Sequence, residues 1–284
     1  MIDLREYIER SLERDVAALT PLGGGDVADA FRVTLADGAR VFAKTRRAAP
    51  AGFFVTEAAG LAWLREADAA PIPEVLSVCD DPPALILEWI EAEPPETARE
   101  AEFGRALAAL HAAGAPSFGR EDRRSTGSRG LPNEPCESWS EFYATNRLLP
   151  LARLAAEERA LPPESIRRLE AIAQRLAELG GPTEPPARLH GDLWGGNRMV
   201  GPEGISWLID PAAHGGHREF DLAMMRLFGG FGEACFAAYA EASPLADGWT
   251  ERVPLHQLAP LVVHAIKFGG SYIAATRDAL DALC

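Results

Sequence analysis

The stretch His190-Gly191-Asp192-Leu193-Trp194-Gly195-Gly196-Asn197 sets a histidine, an aspartate and an asparagine in H-x-D-x-x-x-x-N spacing. Phosphoryl-transfer loops use this spacing because one turn of chain must place a carboxylate against the acceptor hydroxyl and an amide oxygen on Mg²⁺. In this reading Asp192 is the catalytic base and Asn197 a metal ligand. Asp210 follows the apolar run Trp207-Leu208-Ile209, and a carboxylate at the end of a strand can supply the second metal ligand. It stands in Asp-Pro-Ala, not Asp-Phe-Gly, and no Ala-Pro-Glu segment follows. That departure points to a small-molecule acceptor.

Phosphoryl transfer also needs groups that hold a nucleotide. Lys44 and Glu57 fit a strand lysine that contacts the α- and β-phosphates and a helix glutamate that orients it. Gly24 and Gly25, within Gly23-Gly24-Gly25-Asp26, fit a turn whose backbone N–H groups approach phosphate oxygens. The turn is neither G-x-G-x-x-G nor a Walker A loop. Around Trp89, the main chain of Glu88 and Ile90 is placed to pair with an adenine edge.

These residues need elements to carry them. An amphipathic helix is expected over Ile2–Leu19. Alternating strands Ala30–Leu35 and Arg40–Lys44 flank Asp37-Gly38, a hairpin turn signal, so Lys44 closes the second strand. Phe54, Ala58, Leu61 and Leu64 share one face of a helix over Phe53–Ala67 that carries Glu57 and stops before Pro71 and Pro73. Ala84–Glu88 reads as a buried strand. The linker Glu91-Ala92-Glu93-Pro94-Pro95 places a boundary near residue 92, giving lobes of 1–91 and 92–284.

The second part reads as mainly helical. Thr97-Ala98-Arg99-Glu100 matches a capping box ahead of a stripe of Phe103, Leu107 and Leu110. Gly114–Pro135 reads as an extended loop. Further helices are expected over Trp139 to about Ala155, Pro163–Leu179, Phe220–Phe228, Gly232–Ala242 and Leu255 to about Leu280.

Composition narrows the function classes. With 47% hydrophobic and 25% charged residues the chain has the profile of a globular protein. A net charge of −14 argues against nucleic acid, which needs clustered Lys and Arg, and would tolerate a cationic acceptor. No apolar run reaches membrane-span length, and the N-terminus lacks the basic and apolar regions of a signal peptide. A cytoplasmic location is the default expectation, with no membrane partner. Cys79, Cys136, Cys235 and Cys284 show no metal-ligand spacing and read as structural, Cys284 as an exposed tail.

Taken together, the sequence resembles the fructosamine kinase (ketosamine-3-kinase) family, a branch of the kinase-like fold shared with aminoglycoside phosphotransferases and choline kinases. The resemblance rests on Leu189–Asn197, Asp210-Pro211-Ala212, Gly216–Ala223, Phe228-Gly229-Gly230-Phe231 and Trp139-x-x-Phe142-Tyr143-x-x-x-Arg147. It implies an α+β, protein-kinase-like bilobal fold with a small β-rich N-lobe and a larger, mainly helical C-lobe. It also implies ATP and Mg²⁺ as cofactors and phosphorylation of a ketosamine at the sugar 3-hydroxyl, the sugar-amine being free or protein-borne. Trp194 would line the sugar site, and His217 and Glu219 would shape the acceptor pocket or brace the loop. Gly195 and Gly196 depart from the small polar residue expected there, Asp26 stands in a glycine loop with no cysteine, and His214-Gly215-Gly216 replaces a more aromatic approach. Two other readings stay open: an aminoglycoside or other aminoalcohol kinase on the same fold, and a nucleotide-binding regulator without catalysis.

Overall fold

The computed structural model describes residues 3–23, 28–122 and 130–283. Along the chain run α1 Leu4–Leu12, β1 Val16–Leu22, β2 Asp29–Leu35, β3 Arg40–Thr45, α2 Phe53–Arg65, β4 Val75–Asp80, β5 Pro83–Glu88 and α3 Glu100–Ala112. They are followed by α4 Trp139–Tyr143, α5 Leu149–Glu157, α6 Pro163–Gln174, α7 Leu176–Leu179 and β6 Ala187–Leu189. Next come β7 Arg198–Val200, β8 Ser206–Leu208, β9 His214–Gly216, α8 Glu219–Phe228, α9 Glu233–Ala242, α10 Trp249–Phe268 and α11 Ser271–Asp281. No helix among the described residues is long and apolar enough to cross a membrane.

The chain divides into two compact units, Met1–Arg99 with Arg198–Pro211, and Glu100–Asn197 with Ala212–Cys284. The boundary expected near residue 92 therefore falls inside the first unit. Hydrogen bonds explain why: Glu93 N donates to Val200 O at 2.7 Å and Arg99 N to Gly204 O at 3.0 Å, so the linker is sewn to the β7–β8 hairpin. Leu208 N donates to Pro71 O at 3.0 Å, which ties β8 to the segment after α2.

The first unit is built on a five-stranded antiparallel sheet in the order β1-β2-β3-β5-β4. Its two faces follow from the period-2 alternation of strands. Val33, Leu35, Val41, Ala43, Ala84 and Ile86 pack with Tyr7 and Ile8 of α1. Lys44 pairs with Ala30 and Leu85, which puts it on a central strand as the hairpin signal implied. Phe54, Ala58, Leu61 and Leu64 of α2 are all buried, as their spacing predicted.

Two expectations for this unit are corrected. The first helix stops at Leu12, not Leu19, because Glu13 takes a left-handed φ of 53° and caps it. The following Val16–Leu22 forms the edge strand β1 against β2; its short apolar residues suit a helix or a strand, and pairing decides. β4, beside β5, was not foreseen.

The second unit is mostly helical around Phe142, Tyr143, Leu258, Leu261 and Val262. Pro260 sits inside α10 and removes the N–H that would bond His256 O. Tyr143 Oη replaces it, donating to Leu255 O at 2.9 Å and lying 3.2 Å from His256 O. The capping box did not form: Thr97 Oγ1 donates back to Pro94 O at 2.7 Å, and α3 starts at Glu100. The helix expected from Trp139 contains a π-turn over Ala144–Leu148. The one expected over Pro163–Leu179 breaks at Arg175, and the C-terminal one starts at Trp249 and breaks at Gly269-Gly270, with φ of 63° and 57°. Two short antiparallel pairs, β6–β9 and β7–β8, complete the fold. His190 follows directly on β6, and Asp210 lies just beyond β8.

Candidate active site

In the first unit, the end of β3 and the middle of α2 bring Lys44 and Glu57 together. Lys44 Nζ donates to Glu57 Oε1 at 2.9 Å and also to Asp210 Oδ1. Burial opposes the charge on Lys44, but the Glu57 and Asp210 carboxylates outweigh it and hold the ammonium above its ordinary value. Three sequence-predicted residues thus form one charged group. Asp210 adopts φ of 55°, a left-handed conformation that aspartate tolerates better than most residues. Glu88 is committed to structure: its N–H donates to Glu74 O at 3.0 Å and its Oε1 accepts from Glu74 N at 2.8 Å. Ile90 is buried at 8% exposure beside Gly201, where a Cβ would approach its side chain to 3.2 Å. Gly24 and Gly25 lie outside the described residues.

In the second unit, the loop after β6 sets Asp192 and Asn197 against each other. Asn197 Nδ2 donates to Asp192 Oδ2 at 3.0 Å and to Asp192 O at 2.8 Å. That orientation turns the amide oxygen of Asn197, the metal-binding atom in the sequence reading, away from Asp192. Asn197 and Asp210 offer oxygen donors of the kind that Mg²⁺ prefers. The donor chemistry fits.

Asp221, in the first turn of α8, fixes this loop. Its carboxylate accepts from His190 N at 2.8 Å and Gly191 N at 2.9 Å. His111 Nε2 lies 3.3 Å from it, and His111 Nδ1 lies 2.8 Å from Tyr239 Oη. Asp221 is fully buried. Burial pushes its carboxyl up, but the His111 hydrogen bond and charge and the backbone N–H groups hold it below the usual value, so it stays ionised. Gly191 has φ of 81°, and a Cβ there would collide with Ala212 O, so only glycine fits.

The glycine departures have a packing cause. Gly195 N donates to Gly229 O at 3.1 Å, and a Cβ on Gly230 would lie 2.6 Å from Gly195 Cα. The Trp194 ring covers Gly196, leaving no room for a side chain there, and meets Phe228 edge-on at 6.1 Å. Trp194 remains 40% exposed. His217 and Glu219 differ: both are buried, and Glu219 accepts from Arg252 Nε at 2.9 Å and Nη2 at 2.6 Å. Their burial favours the bracing role over contact with an acceptor.

Asp221 and His111 had no assigned role in the sequence. The available signal was an ionisable residue inside an apolar stretch: Asp221 sits among Phe220, Leu222 and Ala223, and His111 follows Leu107 and Leu110. Their pairing joins positions 110 residues apart, which no local pattern reveals.

Comparison with known proteins identifies the family. A family model described as fructosamine kinase matches residues 4–284. A "Probable ketoamine kinase" of Enterococcus faecium is 34% identical over 262 residues, covering 92% of this chain and 93% of that protein. A crystal structure from Thermobifida fusca, named "putative fructosamine-3-kinase", superposes with a TM-score of 0.90 at 42% identity, covering 99% of this chain and 98% of that one. An aminoglycoside phosphotransferase, APH(4)-Ia in ternary complex with AMP-PNP and hygromycin B, shares the fold at a TM-score of 0.65 and 14% identity, over 99% of each chain. The kinase-like α+β fold, the Lys44–Glu57 pair and the Asp192 loop all converge on one conclusion: the chain belongs to the fructosamine kinase family and is an ATP-dependent phosphotransferase.

Proposed function

We propose that the chain phosphorylates the sugar 3-hydroxyl of ketosamines, with ATP as donor. Asp192 takes the hydroxyl proton, the substrate oxygen attacks the γ-phosphorus, and the bond to ADP breaks. Lys44, oriented by Glu57, holds the α- and β-phosphates, with the main chain near Glu88 and Ile90 against adenine. Asn197 and Asp210 hold Mg²⁺, which when bound neutralises charge on the transferring phosphoryl group. Trp194 lines the sugar site, with His217 and Glu219 bracing from behind.

The observation that carries this reading is the Asp192–Asn197 pair at 3.0 Å, held by a loop whose two preceding N–H groups end on Asp221. A base at Asp192 and a metal ligand at Asn197 would thereby stand in fixed relation, which supports phosphoryl transfer by positioning.

The test is ADP release with fructose-, ribulose- and erythrulose-amine adducts, a glycated protein and an aminoglycoside. Turnover of the sugar-amine adducts is expected. Turnover of the aminoglycoside alone reassigns the acceptor, and nucleotide binding with no ADP formed from any acceptor supports a regulator instead.

A further inference from the structure

The second unit buries a polar cluster around His217 and Glu219. His217 lies in the turn between β9 and α8, Glu219 opens α8, and His256 lies on α10. Their exposures are 2%, 1% and 0%. One ligand atom from each falls within 4.8 Å of the others. The two imidazoles stack with centroids 5.3 Å apart and planes 21° from parallel.

Three nitrogens of these imidazoles lack partners. His217 Nε2 and both ring nitrogens of His256 are buried with no hydrogen bond. Glu219 N donates to His217 Nδ1 at 3.3 Å, so Nε2 is the nitrogen left to face the cluster. Buried polar atoms without partners are rare in folded proteins, and an ion is one of the standard reasons for them. Two carboxylates stand beside these nitrogens: His256 Nε2 is 3.4 Å from Glu219 Oε2, and His217 Nε2 is 3.8 Å from Glu184 Oε2.

We propose that His217, Glu219 and His256, completed by Glu184, form a structural site for a divalent transition metal of the Zn²⁺ type. Imidazole nitrogen and carboxylate oxygen are ligands such a metal takes, in tetrahedral geometry. Ligand atoms roughly 2.1 Å from a tetrahedral ion lie roughly 3.4 Å from each other. The His256–Glu219 separation matches that edge, and the His217–Glu184 separation exceeds it by 0.4 Å, from 3.8 Å.

The surroundings are those of a supported site. Arg252 holds both oxygens of Glu219, and Arg218 holds both oxygens of Glu184 through Nε at 2.7 Å and Nη2 at 2.8 Å. Metal-bound carboxylates are commonly oriented by such outer partners, and each oxygen keeps a second lone pair for the ion. The guanidiniums also offset the carboxylate charge. That selects against Mg²⁺ and Ca²⁺, which are held by charged oxygen, and favours a metal bonded through imidazole nitrogen. A metal here would staple α10 to the first turn of α8, which carries Asp221.

The competing arrangement is a hydrogen bond between His256 Nε2 and Glu219 with no ion at the site. Cobalt separates the two, since Co²⁺ in a tetrahedral nitrogen–oxygen site gives an intense visible band and a hydrogen bond gives none. The full chain is stripped with a chelator and titrated with Co²⁺, then with Zn²⁺ and Mg²⁺, while thermal unfolding is followed in parallel. We expect a visible band that saturates at stoichiometric Co²⁺, is displaced by Zn²⁺ and not by Mg²⁺, and accompanies a rise in melting temperature. His256→Gln should abolish the band, and Glu184→Gln should weaken Co²⁺ binding by about 10- to 100-fold. Absence of the band in the wild-type chain overturns the proposal, whether or not His256→Gln folds. So does a band of undiminished strength in both variants. ATP binding, measured on the same stripped sample, reports separately on the phosphotransferase reading.

Discussion

Asp221→Asn removes one charge from the centre of the second unit while keeping the side chain's shape. The aspartate accepts two backbone N–H groups at 2.8 and 2.9 Å and lies 3.3 Å from His111 Nε2. Asparagine keeps one accepting oxygen and turns an NH₂ group toward the other donor. One charge-assisted hydrogen bond, worth about 1.5–3 kcal/mol, is lost, and one buried N–H is left unpaired at a further cost of about 1–3 kcal/mol. The sum falls near the cost of about 3–5 kcal/mol for breaking a buried ion pair. At roughly 2–4 °C per kcal/mol for a chain of this size class, melting should fall by roughly 6–20 °C. The loop that carries Asp192 would lose its anchor, and a misplacement of about 1 Å can cost about 10²-fold in turnover. Thermal unfolding and steady-state ADP release would measure both. The effect also has a pH signature. The folded carboxyl lies below its ordinary value of 3.8, so its stabilisation is present above that value and is lost as pH falls through the lower folded value. The gap between wild type and Asp221→Asn should therefore narrow in acid below about pH 4. Wild-type melting temperature and turnover in the variant would refute the bracing role of Asp221, and a gap that stays constant into acid would refute its ionised state.

Three further outcomes follow from the same geometry. Lys44→Met, which strips the ammonium from Glu57 and Asp210, should weaken ATP binding about 10- to 100-fold by calorimetry, as losing charged hydrogen bonds of about 1.5–3 kcal/mol requires; unchanged affinity would remove Lys44 from the nucleotide site. Gly191→Ala should destabilise the chain by more than about 1–3 kcal/mol in denaturant unfolding, since it adds a collision with Ala212 O to a left-handed φ of 81°; a neutral result would show that this turn relaxes freely. Trp194→Ala should raise KM for a sugar-amine adduct about tenfold, near 1.4 kcal/mol, with melting temperature little changed because the ring is 40% exposed; an unchanged KM would place the sugar elsewhere.

The parts of the site legible in the sequence are those fixed by short-range spacing. His190 to Asn197 is a single loop, so its residue order already states which groups meet. Lys44 was placed by the Asp37-Gly38 turn and the alternation on either side of it, and Glu57 by the buried stripe Phe54, Ala58, Leu61 and Leu64. What stayed hidden depends on long-range contacts. Val16–Leu19 reads as helix until β2 pairs with it. The assignment of Arg198–Pro211 to the first unit rests on hydrogen bonds to Glu93, Arg99 and Pro71, far away in sequence. His217 and Glu219 were expected to shape the acceptor pocket or brace the loop, and only the packing of Arg252 and His256 against them shows how fully they are buried. Gly195 and Gly196 looked like departures from a family pattern until Gly230 and the Trp194 ring supplied the missing steric reason.

The proposed reaction moves the γ-phosphoryl group of ATP to a ketosamine 3-hydroxyl, with Asp192 as the base. The most direct measurement is phosphorus NMR of the product formed from ATP, Mg²⁺ and a fructose-amine adduct by the wild-type chain and by Asp192→Ala. A sugar 3-phosphate is predicted from the wild type, with the rate falling by about 10²- to 10⁴-fold in a variant that still binds ATP. A phosphate at another position, no phosphorylated adduct from the wild type, or wild-type turnover by Asp192→Ala would contradict the claim.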